Sequence, residues 1–125
     1  MQDKPKVLII DDDQVFSQHV AALLRAAGYA SISVLDAVQG FMTAQRERPG
    51  LILLDVNLPA GGGLLLLERL TKTTQTQLIP IIVITARTDQ ETESLARAKG
   101  AAGFVRKPID HNTLLTAVDQ ALGPA

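Results

Sequence analysis

The sequence contains no cysteine, which excludes a disulfide framework and any thiolate metal site. Carboxylate sites for magnesium or calcium stay open. Aromatic residues make up 3% of the chain, too few for a base-stacking surface. Neither sign of charge dominates. Twelve Lys and Arg against 13 Asp and Glu leave a net charge of −1, so no broad basic footprint points to direct nucleic-acid binding or to an acidic membrane. No apolar run approaches the ~20 residues of a membrane span. The polar start Met1-Gln2-Asp3-Lys4-Pro5-Lys6 lacks the form of a secretory leader. A cytoplasmic protein is the expectation. With 125 residues and 46% hydrophobic content, a single domain over 1–125, with a core over about 5–122, is expected.

What is present is a set of short apolar runs that end in polar residues. Leu51-Ile52-Leu53-Leu54 runs straight into Asp55. A continuous run of this kind reads as a strand buried on both faces, as in parallel sheets. Val7 to Ile10, Pro80 to Ile84 and the short Ala101 to Val105 read as further strands, while Ser31 to Leu35 alternates and suits a sheet edge. Helical periodicity lies between them. Phe16, Val20, Leu23, Leu24 and Ala27 form one stripe, with Gly28 at its end, and Leu114, Leu115, Val118, Ala121 and Leu122 form another. Residues 37–48 make a helix with Phe41 and Ala44 inward, closed by Pro49-Gly50. Gly61-Gly62-Gly63 reads as a loop leading into a helix over 64–70. The helix over 88–99 has Leu95 as its only large aliphatic residue, so its anchorage should be thin. Five strands alternating with five helices give an α/β fold, a parallel sheet covered on both faces.

Strands of a parallel sheet all point one way, so their carboxyl ends share one edge, where ligands of open α/β sheets bind. That edge receives Asp11, Asp12 and Asp13 after strand one, Asp55 after strand three, Thr85 after strand four and Lys107 after strand five. Each alone has a plain structural reading as a helix cap, a turn residue or a solvated lysine. Together they suit phosphoryl transfer. Crowded carboxylates favour a bound cation such as Mg2+. An aspartate can attack phosphorus to form an acyl phosphate. Lysine and threonine donate to phosphoryl oxygens.

The stretches Val7-Leu-Ile-Ile-Asp-Asp-Asp13, Leu53-Leu-Asp-Val-Asn-Leu-Pro59, Val83-Ile-Thr-Ala86 and Phe104-Val-Arg-Lys-Pro108 occur in that order. With them the chain resembles the receiver domain of bacterial two-component response regulators. The resemblance implies a doubly wound, flavodoxin-like five-stranded sheet in the order 2-1-3-4-5, an order carried over from the family. It implies Asp55 as phosphoacceptor and Thr85 and Lys107 as holders of the phosphoryl group. It implies Asp11, Asp12, Asp55 and the Asn57 backbone carbonyl around Mg2+, with Asp12 the more direct ligand. Thr85 and Phe104 would be the switch residues, and Lys107-Pro108 a cis bond. The implied phosphodonor is a histidine kinase or histidine phosphotransfer protein. The implied output is a downstream protein or fused output domain reached through the face of the fourth helix, fifth strand and fifth helix, and a phosphorylation-dependent dimer is one form this could take. Its only enzymatic chemistry would be self-phosphorylation and autodephosphorylation. The loop Ala60-Gly61-Gly62-Gly63 departs from the family in lacking a bracing side chain. Asp13 reads as the cap of the first helix, and Asp110 as that of the last.

Three other readings compete. Asp11-x-Asp13-x-Val15 after a strand is similar to the first motif of haloacid-dehalogenase phosphatases, with Asp11 as nucleophile and Asp13 as general acid. That reading lacks the further acidic pair after the lysine and leaves Asp55 idle. A flavin-binding module would set a flavin phosphate against three aspartates. A non-phosphorylated pseudo-receiver, acting as an interaction module only, would normally have lost one of the residues retained here. His19 and His111 stand alone, without metal-ligand spacing.

Overall fold

The computed structural model describes residues 4–59, 62–86 and 90–123. Ten elements alternate along the chain: β1 (Val7–Ile10), α1 (Gln14–Ala26), β2 (Ser31–Val34), α2 (Ala37–Glu47), β3 (Leu51–Asp55), α3 (Gly62–Lys72), β4 (Ile81–Thr85), α4 (Gln90–Ala98), β5 (Gly103–Arg106) and α5 (His111–Leu122). The strands form one parallel sheet in the order β2-β1-β3-β4-β5. Every residue of β1, β3 and β4 is buried, whereas the edge strand β2 is partly open. This is why β1, β3 and β4 read as unbroken apolar runs and β2 as an alternating one.

Side chains alternate across the sheet, and the core divides accordingly. Leu8, Ile10, Ile52, Leu54, Ile81 and Val83 pack against α2, α3 and α4 through residues such as Phe41, Leu67 and Ala96. Val7, Ile9, Leu51, Leu53, Ile82 and Ile84 pack against α1 and α5 through Val20, Leu24, Leu114 and Val118. Burying one such aliphatic side chain contributes roughly 1.5–3 kcal/mol. Two clusters of this size hold the sheet stiff beneath its polar edge.

Aspartates start three helices. Asp13 accepts from the Phe16 N–H, Asp36 from the Gln39 N–H and Asp110 from the Thr113 N–H, each satisfying a backbone donor that the first helical turn leaves unpaired. Gly28 and Gly100, both at positive φ, follow α1 and α4.

Two elements differ from the sequence reading. Gly62 and Gly63 belong to α3 rather than to a loop. A Cβ on Gly63 would stand 2.3 Å from the Val56 Cα, so the helix approaches the chain after β3 closely and glycine is needed there despite its low helix propensity. Gly61 lies outside the described residues. In α4, Leu95 is 41% exposed, and the inward residues are Thr92 and Ala96. Small side chains bring this helix against the sheet, and charged ones tie it at its flanks. Glu93 binds both Arg97 and Arg106, at 3.1 and 3.3 Å, and Lys99 reaches Glu68 at 2.7 Å. Exposed ion pairs of this kind contribute at most about 1 kcal/mol each. The buried anchorage of α4 is thin, as expected, but through different residues.

Candidate functional site

The in-register sheet brings the ends of β1, β3 and β5 level. Ile10 stands beside Leu54, Asp55 beside Ile84, and Thr85 beside Arg106. Asp11 and Asp55 follow the face that holds Ile9, Leu51 and Leu53, and both are nearly inaccessible, at 2% and 5% exposure. Lys107 bridges them. Its Nζ donates to Asp11 Oδ2 at 2.8 Å and to Asp55 Oδ2 at 3.1 Å. The other oxygens of both carboxylates are held by backbone. Asp11 Oδ1 accepts from the Asp13 N–H at 2.9 Å, and Asp55 Oδ1 from the Asn57 N–H at 2.8 Å. The Lys107-Pro108 bond is cis, as expected.

Asp11, Asp12 and Asp55 each present a carboxylate oxygen within 4.8 Å of one another. Asp12 and Asn57 are both exposed. This oxygen-rich set, with one open member, fits a hard divalent cation that keeps some of its water. The electrostatics agree. Burial raises the Asp11 carboxyl above its ordinary value, and the hydrogen bond from Lys107 only partly opposes this. For Lys107 burial alone would lower the ammonium, but the Asp11 hydrogen bond and the Asp55 charge outweigh it, and the net direction is upward. Both values move up, for opposite reasons: enclosure prevails at Asp11, and the two carboxylates prevail at Lys107. The lysine stays charged, while the Asp11 carboxylate is under-compensated and has room for more positive charge.

Thr85 is fully buried at the last position of β4. Alternation sets it with Ile81 and Val83, on the face opposite to Asp55, and its carbonyl accepts from the Lys107 N–H at 2.9 Å. Phe104 is half-buried, with the Arg106 guanidinium 5.2 Å from its ring centroid. The structure thus gathers Asp11, Asp12, Asp55 and Lys107 at one point and sets Thr85 and Phe104 on the adjoining side of the sheet. His19 and His111 are exposed. Sequence reasoning placed Phe16 only in the core stripe of α1. In the structure its ring lies beneath Lys107, 4.1 Å from Nζ.

A doubly wound sheet with this edge defines a class of signalling domain, and the family model described as the response regulator receiver domain matches residues 7–119. The chain belongs to that family and is a receiver domain of two-component signal transduction. It is similar to the protein PilH of Pseudomonas aeruginosa, 30% identical, with 94% of this chain and 97% of PilH covered. A putative response regulator from Chloroflexus aurantiacus superposes with a TM-score of 0.89 at 26% identity, covering 94% of this chain and 97% of that one. The chemotaxis response regulator CheY4 of Vibrio cholerae gives 0.86 at 32% identity, covering 94% and 98%. Other relatives are longer. The DNA-binding dual master transcriptional regulator RpaA of Synechocystis is 33% identical over 91% of this chain, which spans 47% of RpaA's length. Among the described residues no helix is long and apolar enough to cross a membrane.

Proposed function

We propose that Asp55 is the phosphoacceptor of this receiver domain and that Lys107 and Thr85 hold the phosphoryl group. The observation that carries this is the pairing at Asp55. Its Oδ1 is committed to the Asn57 N–H, while its Oδ2 faces the Lys107 ammonium. Oδ2 is therefore the oxygen that attacks phosphorus. The new bond is Oδ2–P, the bond from phosphorus to the donor's leaving group breaks, and the leaving group departs with the electron pair. The lysine, already beside Oδ2, then donates to a phosphoryl oxygen. Thr85 turns its hydroxyl from the α3–α4 side of the sheet toward another.

Asp11, Asp12 and Asp55 would supply carboxylate ligands to a magnesium ion, and Asn57 its backbone carbonyl. When bound, the ion supplies the positive charge that lets an anionic donor approach. The donor class is a phosphohistidine protein, a histidine kinase or phosphotransfer protein in the cytoplasm, and small acyl phosphates would serve in its place. The output surface is α4, β5 and α5, with Phe104 moving into space that Thr85 vacates.

Magnesium-dependent labelling by acetyl phosphate tests the assignment. Asp55→Asn should abolish it, because an amide is too poor a nucleophile. Full labelling of Asp55→Asn, with loss in Asp11→Asn, would instead support the phosphatase-like reading in which Asp11 is the nucleophile.

A further inference from the structure

Phe16 sits in the first turn of α1, half-buried against the α1–α5 side of the core. It closes a circuit of contacts around the site. Asp11 Oδ1 accepts from the Asp13 N–H, and Asp13 Oδ1 accepts from the Phe16 N–H at 3.0 Å. The Phe16 ring centroid is 4.1 Å from Lys107 Nζ, and that nitrogen returns to Asp11 Oδ2. An ammonium group has three donors and no acceptor. Here Asp11 and Asp55 each take one, and only 17% of the lysine side chain is exposed. The ring face offers the negative end of its quadrupole to the remaining charge.

We infer that Phe16 is a positioning residue for phosphoryl transfer, its ring face holding the Lys107 ammonium over the pair Asp11 and Asp55. The inference rests on Asp55 being the phosphoacceptor. Once Oδ2 of Asp55 is bonded to phosphorus, Lys107 must exchange that oxygen for a phosphoryl oxygen. Lysine's four-carbon stem gives it many rotamers to lose. A contact that involves neither carboxylate keeps Nζ in place through the exchange. The capping carboxylate of Asp13 fixes the helical turn that carries the ring, so the first loop sets the lysine's position as well as the acidic cluster.

The test is the initial rate of acetyl phosphate labelling at Asp55, at saturating magnesium, on the full chain. Phe16→Leu keeps apolar bulk and loses the ring face, and the rate should fall about three- to thirtyfold, the size of a partly exposed to desolvated cation–π contact. Phe16→Tyr and Phe16→Trp should keep the parent's rate. In a Lys107→Met background, Phe16→Leu should change the residual rate no further. Thermal midpoints are recorded alongside. Should Phe16→Leu not fold, a ring-fluorinated phenylalanine at position 16 keeps the shape, weakens the ring face and should show the same fall. A labelled parent whose rate is unchanged in Phe16→Leu, or a loss equal in Leu and Trp, or a loss that persists without Lys107, overturns the inference alone. A parent that takes no label at Asp55 overturns the phosphoacceptor reading, and the inference with it.

Discussion

Replacing Lys107 by methionine removes one charge from the centre of the site while keeping an apolar stem of similar length. Asp11 and Asp55 are 2% and 5% exposed and would lose their only ammonium partner among the described residues. Removing one member of a buried ion pair costs about 3–5 kcal/mol, because the other charge stays buried. The lysine keeps 17% exposure and the site opens at the sheet edge, so the lower figure, about 3 kcal/mol, is expected. For a domain of this size that is a fall in Tm of about 10 °C. The loss should depend on pH. The Asp11 carboxyl already lies above its ordinary value through burial, and without the lysine's opposing hydrogen bond it moves further up. A carboxyl raised in the folded state holds its proton more tightly there. Stability is therefore greatest below the unfolded value of about 3.9 and falls as pH rises through the folded one. Variant and parent should converge near about pH 4 and differ fully at pH 7. Magnesium should return about 2.7 kcal/mol to the variant at a hundredfold excess over its Kd. Thermal unfolding monitored by circular dichroism across pH, with and without magnesium, reads all three effects. A variant within about 2 °C of the parent at pH 7, with a parallel pH profile, would refute the account of Lys107 as the compensating charge.

Away from the site, Asp36→Ala should cost about 1 kcal/mol in chemical denaturation with an unchanged m-value, since it removes the side-chain cap of α2. Gly63→Val should lower stability by about 1–3 kcal/mol, because its Cβ meets the Val56 backbone and neither side can yield cheaply. Thr85→Ala should still accept the phosphoryl group but respond less. An amide-shift comparison by NMR, with and without a beryllofluoride mimic, should show smaller changes over residues 86–107 than in the parent, and equal changes would rule out coupling through Thr85.

The sheet was legible because three of its strands are buried on both faces and so appear as unbroken aliphatic runs. The site was legible because a parallel sheet delivers every strand's end to one edge. Thus Asp55, thirty positions before Thr85 and fifty-two before Lys107, could be placed beside Lys107 without any local clue. The caps Asp13 and Asp110 were legible from chemistry within one helical turn. The start of α3 was not. Local propensity assigns Gly62 and Gly63 to a loop, and only the closeness of Val56 explains the glycine at 63, whereas a side chain at 62 would meet ordinary contacts with Ala37 and Leu58. In α4 the one large aliphatic residue drew the inward face to Leu95, whereas close packing chose Ala96 and Thr92. The Phe16–Lys107 contact had no sequence signal of its own, because its partners lie ninety-one positions apart and Phe16 fits a core stripe equally well.

The central claim is that Asp55, held at one oxygen by the Asn57 N–H and facing the Lys107 ammonium with the other, carries the phosphoryl group. Borohydride reduces an acyl phosphate to an alcohol and so turns a phosphorylated aspartate into homoserine. Peptide mass mapping after acetyl phosphate, magnesium and borohydride should find homoserine at position 55, in amounts that fall away when magnesium is chelated. Homoserine at position 11 instead, or none at either position, would contradict the account.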